Sequence, residues 1–371
     1  MGFHSTLVQV QVTWVGVMLT TTTMAAAAMA YPLALPNCSD SCGDVKIPYP
    51  FGTTEGCYRK EESGYFFINC NNSYGQPQPM IGSLNVTNIS IEEGEMDIVM
   101  YSSINCYNQS GTPLPNNTQP WLQVPSTYTV SVTKNKFAAV GCDTYAYLNG
   151  VLNGEQFSIG CLSKCSNNTH NIVDGTCSGI GCCQIDIPTG LRDINFAAYS
   201  FNSHKEVWFV NPCSFAFIIQ SDEFSFSSAY LTSLQNNRTL PMVLDWAIGK
   251  ETCEEVALNK GNYICGANSN CSSRTNGSGY RCKCKKGYEG NPYLEEGCQD
   301  INECVSKDLN DCKSNQDCIN EPGSYHCPCI GGYHADGDAC VADQPASKSS
   351  LAINLTVGKY IIFFLVKSNT Y

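Results

Sequence analysis

Near the C-terminal end of this 371-residue chain, two carboxylates and an amide stand inside a framework of cysteines. Asp300 and Glu303 immediately precede Cys304, and Asn320 lies between Cys318 and Cys327. Calcium takes six to eight hard oxygens from carboxylates, amide carbonyls and backbone carbonyls, so these residue types suit a calcium ion. The bland alternative is a solvated acidic linker. A second group, Lys46, Tyr49, Phe51, Tyr58, Arg59 and Lys60, mixes cations with flat aromatic rings. Cations of this kind pair with carboxylate-rich ligands. The densest acidic run is Glu92, Glu93, Glu95 and Asp97, but it has no companion motif. Neither G-x-S-x-G nor H-E-x-x-H occurs, and there are only five histidines, so the sequence points away from an enzyme.

The elements that must position the calcium candidates are small and cysteine-stapled. Twelve cysteines fall in two runs of six, Cys253, Cys265, Cys271, Cys282, Cys284, Cys298, then Cys304, Cys312, Cys318, Cys327, Cys329, Cys340. Modules of about forty residues bury too little apolar surface to fold unaided, so disulfides must hold them. Six cysteines allow fifteen pairings, and spacing alone does not choose among them. Zinc knuckles at Cys282/Cys284 or Cys327/Cys329 are disfavoured by the one-residue spacing. The whole chain holds 24 cysteines, an even number that points to an oxidising compartment. Eleven N-x-[ST] sequons fit a glycosylated surface: Asn37, Asn71, Asn85, Asn88, Asn108, Asn116, Asn167, Asn237, Asn270, Asn276 and Asn354. A net charge of −12 argues against a nucleic-acid partner.

The remaining chain reads as mainly β and disulfide-rich. Residues 1–30 read as a secretory signal peptide, with an A-x-A cleavage site at Ala28–Ala30. Met96, Ile98 and Met100 alternate with acidic or small residues, and Tyr128, Val130 and Val132 alternate with Ser and Thr, as half-buried strands do. Prolines 113, 115, 120 and 125 punctuate a long loop. The vicinal Cys182 and Cys183 are expected to bond different partners, because the twelve cysteines before residue 253 pair evenly without a vicinal bridge. Residues 341–350 form a polar linker. Leu351–Val366 is apolar but only sixteen residues long and contains Lys359, short of the about twenty residues a full span needs. We therefore expect a marginal or truncated transmembrane segment over 351–367 and membrane association through it.

Each six-cysteine run has a single residue between its fourth and fifth cysteines and a Gly-Tyr step soon after (Gly287-Tyr288, Gly332-Tyr333). In this each resembles the epidermal-growth-factor-like (EGF-like) module. The resemblance implies one–three, two–four, five–six pairing: Cys253–Cys271, Cys265–Cys282, Cys284–Cys298, Cys304–Cys318, Cys312–Cys327 and Cys329–Cys340. Asp300-Ile301-Asn302-Glu303-Cys304, with Cys318-Ile319-Asn320 and Tyr325-His326-Cys327, resembles the calcium-binding subclass. That resemblance adds backbone carbonyls at Ile301, Glu321 and Ser324 to the ligand set. The first module lacks the acidic lead-in, and no metal is expected there.

Upstream, Cys38-x3-Cys42-Gly43 leads into Ile47-Pro48-Tyr49-Pro50-Phe51-Gly52 and then Gly56-Cys57. This resembles the galacturonan-binding module of plant wall-associated receptor kinases. Gly181-Cys182-Cys183-Gln184 through Ile187-Pro188-Thr189-Gly190-Leu191, and the Asp245-Trp246 approach to Cys253, are similar to later segments of the same family. The family's kinase motifs, a glycine-rich loop, H-R-D and D-F-G, do not occur in these 371 residues. The resemblance implies a galacturonan-binding-like module over 31–160, a cysteine-rich β region over 161–252, an EGF-like module over 253–298 and a calcium-binding EGF-like module over 300–340. It implies a pectic polysaccharide (homogalacturonan or oligogalacturonide) as partner; the cations named above could meet it and the rings, with Tyr65 and Phe66, could stack on it, the alternative for any single ring being that it fills a small β core. The location implied is the cell-wall face of the plasma membrane or the apoplast. A matrix or protein-docking role for the EGF-like repeats is the alternative. Residues 31–252 hold ten Lys and Arg against nineteen Asp and Glu, so an acidic polysaccharide must be met by local cations or bridged by calcium. Arg281, Lys283, Lys285 and Lys286 form a second basic group that the ligand could use, an ordinary solvated face being the alternative.

Overall fold

The computed structural model describes residues 31–60, 66–73, 75–152, 154–165, 171–258, 262–274, 277–337 and 339–343. The signal and transmembrane expectations, Tyr65, and the sequons at Asn167, Asn276 and Asn354 lie outside the described residues. Strands dominate in chain order. A hairpin of β1 (Ser41–Cys42) and β2 (Val45–Lys46) precedes β3 (Asn69–Asn71), β4 (Gln78–Ile81), β5 (Leu84–Ser90), β6 (Glu95–Tyr101) and β7 (Ser103–Cys106). Then come β8 (Trp121–Gln123), β9 (Tyr128–Val130), β10 (Asn135–Val140), β11 (Asp143–Leu152) and β12 (Glu155–Lys164). After these follow β13 (Cys182–Ile185), β14 (Asp193–Ser200), β15 (Cys213–Gln220), the short helix α1 (Tyr230–Ser233) and β16 (Thr239–Trp246).

Strands β3–β16 form three sheets, ordered β3-β4-β5-β6-β16-β9, β12-β11-β14-β8 and β13-β10-β15-β7. The first two show the alternation expected of sheets with one covered face: Met96, Ile98 and Met100 are buried on β6, and Ala146 and Leu148 on β11. The third has a core on both sides. Phe137, Ala139, Ala216 and Ile218 join the main core, while Ala138, Val140, Phe215, Phe217 and Ile219 face a second cluster with Phe226, Leu231 and Leu234. This is why β10 and β15 read as continuous apolar runs.

The division expected at residue 160 is not a boundary in the fold. β12 runs across it, and β11 of the first segment pairs with β14 of the second. The acidic run Glu92, Glu93, Glu95 and Asp97 does not lie on an exposed sheet edge. β6 is an interior strand between β5 and β16, with Glu92 and Glu93 in the turn before it and Glu95 beside Lys134 at 3.7 Å. Cross-bridges add to the sheets: Cys106–Cys213, Cys142–Cys165, Cys161–Cys183 and Cys177–Cys182, with Cys38–Cys57 and Cys42–Cys70 in the N-terminal part. Cys182 and Cys183 thus hold different partners.

The C-terminal modules consist of α2 (Cys253–Leu258) and four hairpins: β17 (Ser269–Ser273) with β18 (Tyr280–Cys284), β19 (Tyr288–Gly290) with β20 (Cys298–Asp300), β21 (Ile319–Glu321) with β22 (Ser324–His326), and β23 (Tyr333–Asp336) with β24 (Ala339–Ala342). The first module is built into the β region. Val256, Tyr280, Cys282 and Tyr293 belong to the main core, and burial pushes the Tyr293 phenol well above its ordinary range. Trp246, fully buried, meets Phe51 at 5.0 Å edge-on and Tyr293 at 5.5 Å. The buried Arg274 guanidinium donates to the Asp245 carbonyl (2.6 Å), Thr129 Oγ1 (2.6 Å) and the Thr127 carbonyl (3.3 Å). Burial, with Arg281 nearby, lowers its pKa to about 10. Asn291 donates to the carbonyls of Leu33 (2.8 Å) and Tyr49 (2.7 Å), two residues more than two hundred positions upstream.

Candidate functional site

The junction of the two C-terminal modules gathers the calcium candidates. Asp300 ends β20 opposite Tyr288, and the Ile301 amide donates to the Gly287 carbonyl at 2.9 Å. Glu303 opens a short 3-10 turn, Glu303–Val305, whose preceding residue Asn302 accepts from the Cys304 amide at 3.1 Å. That turn packs against β21 and β22. On β21, Asn320 donates through Nδ2 to Asp300 Oδ2 at 2.7 Å, and the Gly323 amide donates to Asp300 Oδ1. Asp300 is therefore tied to the hairpin that carries Asn320.

Two oxygens at this place have no partner: Glu303 Oε2 and Asn320 Oδ1, both buried. Glu303 is only 9% exposed. A buried carboxylate oxygen without a donor costs several times what an ordinary hydrogen bond contributes, unless a cation meets it. The donor set is hard oxygen, which suits calcium and not a soft metal. Glu321 and Ser324 face each other at the ends of β21 and β22, and the Glu321 carboxylate lies 2.9 Å from His326 Nδ1. Backbone carbonyls from Ile301, Glu321 and Ser324 would complete the shell.

The two modules also touch without cushioning. Gly323 has φ +78°, and a Cβ there would come within 2.6 Å of the Tyr288 ring. A Cβ on Gly287 would fall 2.1 Å from the Gly323 carbonyl oxygen. Every cysteine is bonded, so no thiolate is free for zinc. In the first module the bridges are Cys253–Cys271, Cys265–Cys282 and Cys284–Cys298. In the second they are Cys304–Cys318, Cys312–Cys327 and Cys329–Cys340, again one–three, two–four, five–six.

The N-terminal candidates divide. Phe51 and Phe66 are fully buried and pack edge-on against each other at 5.1 Å and on Trp246. The expected stacking role for these two rings is corrected: they are core, because the chain folds its Pro-Phe-Gly turn inward onto Trp246. Tyr49 and Tyr58 are half-buried against that core. Lys46 and Lys60 are exposed, Lys46 at 3.9 Å from Asp40 and Lys60 bonded to Glu55, while the Arg59 amide donates to the Pro50 carbonyl at 2.9 Å. The aromatic residue missing from the sequence reading is Phe67, 41% exposed and 5.4 Å from the Tyr58 ring. The alternation of Phe66 and Ile68, both buried, around Phe67 is the signal that marks it. In the second basic group, Arg281 is occupied elsewhere: it donates to the Trp246 (2.8 Å) and Glu93 (2.7 Å) carbonyls and lies 3.8 Å from Asp245. It holds the first module to the β region.

Together the fold and these sites define a disulfide-rich β protein with a galacturonan-binding-type N-terminal segment and two EGF-like modules. Residues 38–100 match the family described as "Wall-associated receptor kinase galacturonan-binding", and residues 300–340 match the calcium-binding EGF domain. The chain has the make-up of the extracellular region of a wall-associated receptor kinase. It is 40% identical over 302 residues to wall-associated receptor kinase 2 of Arabidopsis thaliana, covering 81% of this chain and 39% of that protein. It is 38% identical to wall-associated receptor kinase 5 of the same plant over 89% of this chain and 44% of that protein. Against wall-associated receptor kinase 1 the identity is 34%, over 81% of this chain and 40% of that protein. The chain thus spans less than half the length of these relatives. Among the described residues no helix is long and apolar enough to cross a membrane.

Proposed function

We propose that this chain is an extracellular, receptor-like galacturonan-binding protein that faces the plant cell wall, does no catalysis itself, and carries a calcium-tied EGF-like junction. The observation that supports the polysaccharide most is the cysteine-framed segment from Cys38 to Cys70 within the galacturonan-binding family match. Lys46, Arg59 and Lys60 supply the cations there. Exposed ion pairs of the Lys46–Asp40 and Lys60–Glu55 kind are screened by solvent and contribute little, so an incoming carboxylate can displace them. Tyr58 and Phe67 supply the accessible aromatic surface in place of Phe51.

Calcium has its own support in the orphaned Glu303 and Asn320 oxygens beside Asp300. Asp300, Glu303, Asn320 and the carbonyls of Ile301, Glu321 and Ser324 would hold the ion. Its chemistry there is to neutralise linker carboxylates and fix one module on the next. Retention of the secreted chain on de-esterified pectin, with and without calcium, tests the polysaccharide reading. Wild type is expected to be retained, and Lys46→Ala with Arg59→Ala and Lys60→Ala to elute at lower salt. No retention of wild type in either condition contradicts the reading. Equal retention of the triple variant contradicts the residue assignment.

A further inference from the structure

The outer face of the β12-β11-β14-β8 sheet lies outside both family matches and carries an organised set of neutral rows between two charged ends. Side chains directly opposite one another in antiparallel strands share a face. By the register, Ser158, Asn149, Asn195 and Trp121 form one row across all four strands. Ser158 Oγ donates to Asn149 Oδ1 at 2.7 Å, and Asn149 Nδ2 donates to Asn195 Oδ1 at 3.1 Å, so the row is a hydrogen-bonded amide ladder ending at an indole. Trp121 is 71% exposed. The next row holds Gly160 and Tyr147, and the one after it Leu162, Tyr145 and Tyr199. A Cβ at Gly160 would meet the Tyr147 ring at 3.1 Å, so that ring lies across the neighbouring strand rather than standing away from it. These three rows contain no charged side chain; the same face carries Asp193 opposite Gln123 at one end and Asp143 opposite Lys164 at the other.

Two further observations bear on what this face meets. Beyond Trp121 the surface continues into a groove of about 550 Å³, lined by Leu84, Tyr101, Thr118, Pro120 and Gln123. Tyr101 is 57% exposed, and no lining residue is charged. None of the eleven sequons falls on the four strands; Asn167, just past the end of β12, and Asn116, before β8, are the nearest in sequence. A secreted surface that leaves exposed indole and phenol rings free of glycan acceptors is one kept open for contact.

We propose that this face, with its groove, binds an uncharged pyranose chain. Pyranose rings present apolar C–H faces and hydroxyl edges. Trp121 and Tyr147 match the former, and the Asn149–Asn195–Ser158 ladder with Gln123 matches the latter. The row from Trp121 to Ser158 crosses three strand spacings, about 14 Å at the usual separation. The central rows hold no cation and Asp193 stands beside them, which disfavours polygalacturonate here and admits a glucan or a methyl-esterified galacturonan. The site is separate from the acidic-polysaccharide reading above and does not depend on it.

The test uses the whole secreted, glycosylated chain with three probes: cellohexaose, fully methyl-esterified homogalacturonan and polygalacturonate. At least one uncharged probe is expected to bind, and which one binds names the source. Trp121→Ala, at an exposed position, is expected to weaken that binding about tenfold while leaving polygalacturonate retention and the thermal transition unchanged. Tyr147→Ser is expected to weaken it as well. The proposal is overturned if neither uncharged probe binds at millimolar concentration, or if Trp121→Ala binds as wild type does. It is also overturned if the face only mediates self-association that Trp121→Ala abolishes.

Discussion

The two EGF-like modules share a disulfide pattern and differ in almost everything else that holds them. The first is a lobe of the β region: Tyr280 and Tyr293 sit in its core, and Arg274, Arg281 and Asn291 donate to its carbonyls. The second owns scarcely any core. Among its described residues, the buried ones besides Cys312 and Cys340 are the polar Glu303 and Asn310, and every residue of β23 is exposed. Asn310 donates to the Glu303 carbonyl at 2.8 Å, so polar contacts stand where apolar packing would. One scaffold can therefore be held by side-chain burial or by covalent bridges and polar contacts, and the ion proposed at the joint would act on the second.

The comparison breaks most visibly at Trp246. Trp246→Ala removes the ring shared by Phe51, Phe66 and Tyr293 and should cost about 3–5 kcal/mol, read as a large fall in the thermal midpoint and faster proteolysis around residues 253–298. The matching truncation in the second module, Val305→Ala, removes a side chain that is 73% exposed. It should change stability by less than about 0.5 kcal/mol. Equal effects of the two would erase the distinction drawn here.

A smaller effect is expected at the joint. Gly323→Ala puts a Cβ at positive φ into the Tyr288 ring and should cost about 1–3 kcal/mol of inter-module packing. Small-angle scattering or inter-module relaxation measurements should show a looser pair with all disulfides intact. An unchanged pair would mean the contact does not hold the joint.

The smallest expected effect is a pH dependence of the β region set by His204. His204 is buried between the Asn211 carbonyl and Ser214 Oγ, each at 2.8 Å, and Asp143 accepts from its backbone amide at 3.0 Å. Burial, partly offset by Asp143, lowers its pKa below the ordinary 6.5. The unfolded chain then binds the proton more readily, so stability is full above about pH 6.5 and declines as pH falls below it. Denaturant midpoints at pH 7.5 and 5.5 should differ for wild type and converge for His204→Gln. A midpoint independent of pH would contradict this.

Much of this was legible in residue order. Cysteine spacing, the Asp300–Glu303 lead-in and the alternation on β6 are local patterns, and local patterns survive in a sequence. What was not legible depends on partners far along the chain. Phe51 and Tyr58 look alike beside a cysteine, but only Phe51 meets Trp246, nearly two hundred residues away. Arg281 looks like one of four surface cations until its bonds to the Trp246 and Glu93 carbonyls appear. Sheet membership was equally hidden, since β11 pairs with β12 by a hairpin but with β14 across some forty residues.

The central claim is that an ion completes the junction at Asp300, and calcium titration of the secreted chain by calorimetry tests it most directly. One site is expected, with a Kd in the range of about 0.1–1 mM usual for extracellular modules. Asp300→Ala, which removes a carboxylate and frees Asn320, should weaken it roughly 10- to 100-fold with all twelve disulfides retained. Asp311→Ala, whose carboxylate is outside the ligand set, should do little. No calcium uptake at millimolar concentration, or equal losses from the two variants, would contradict the account.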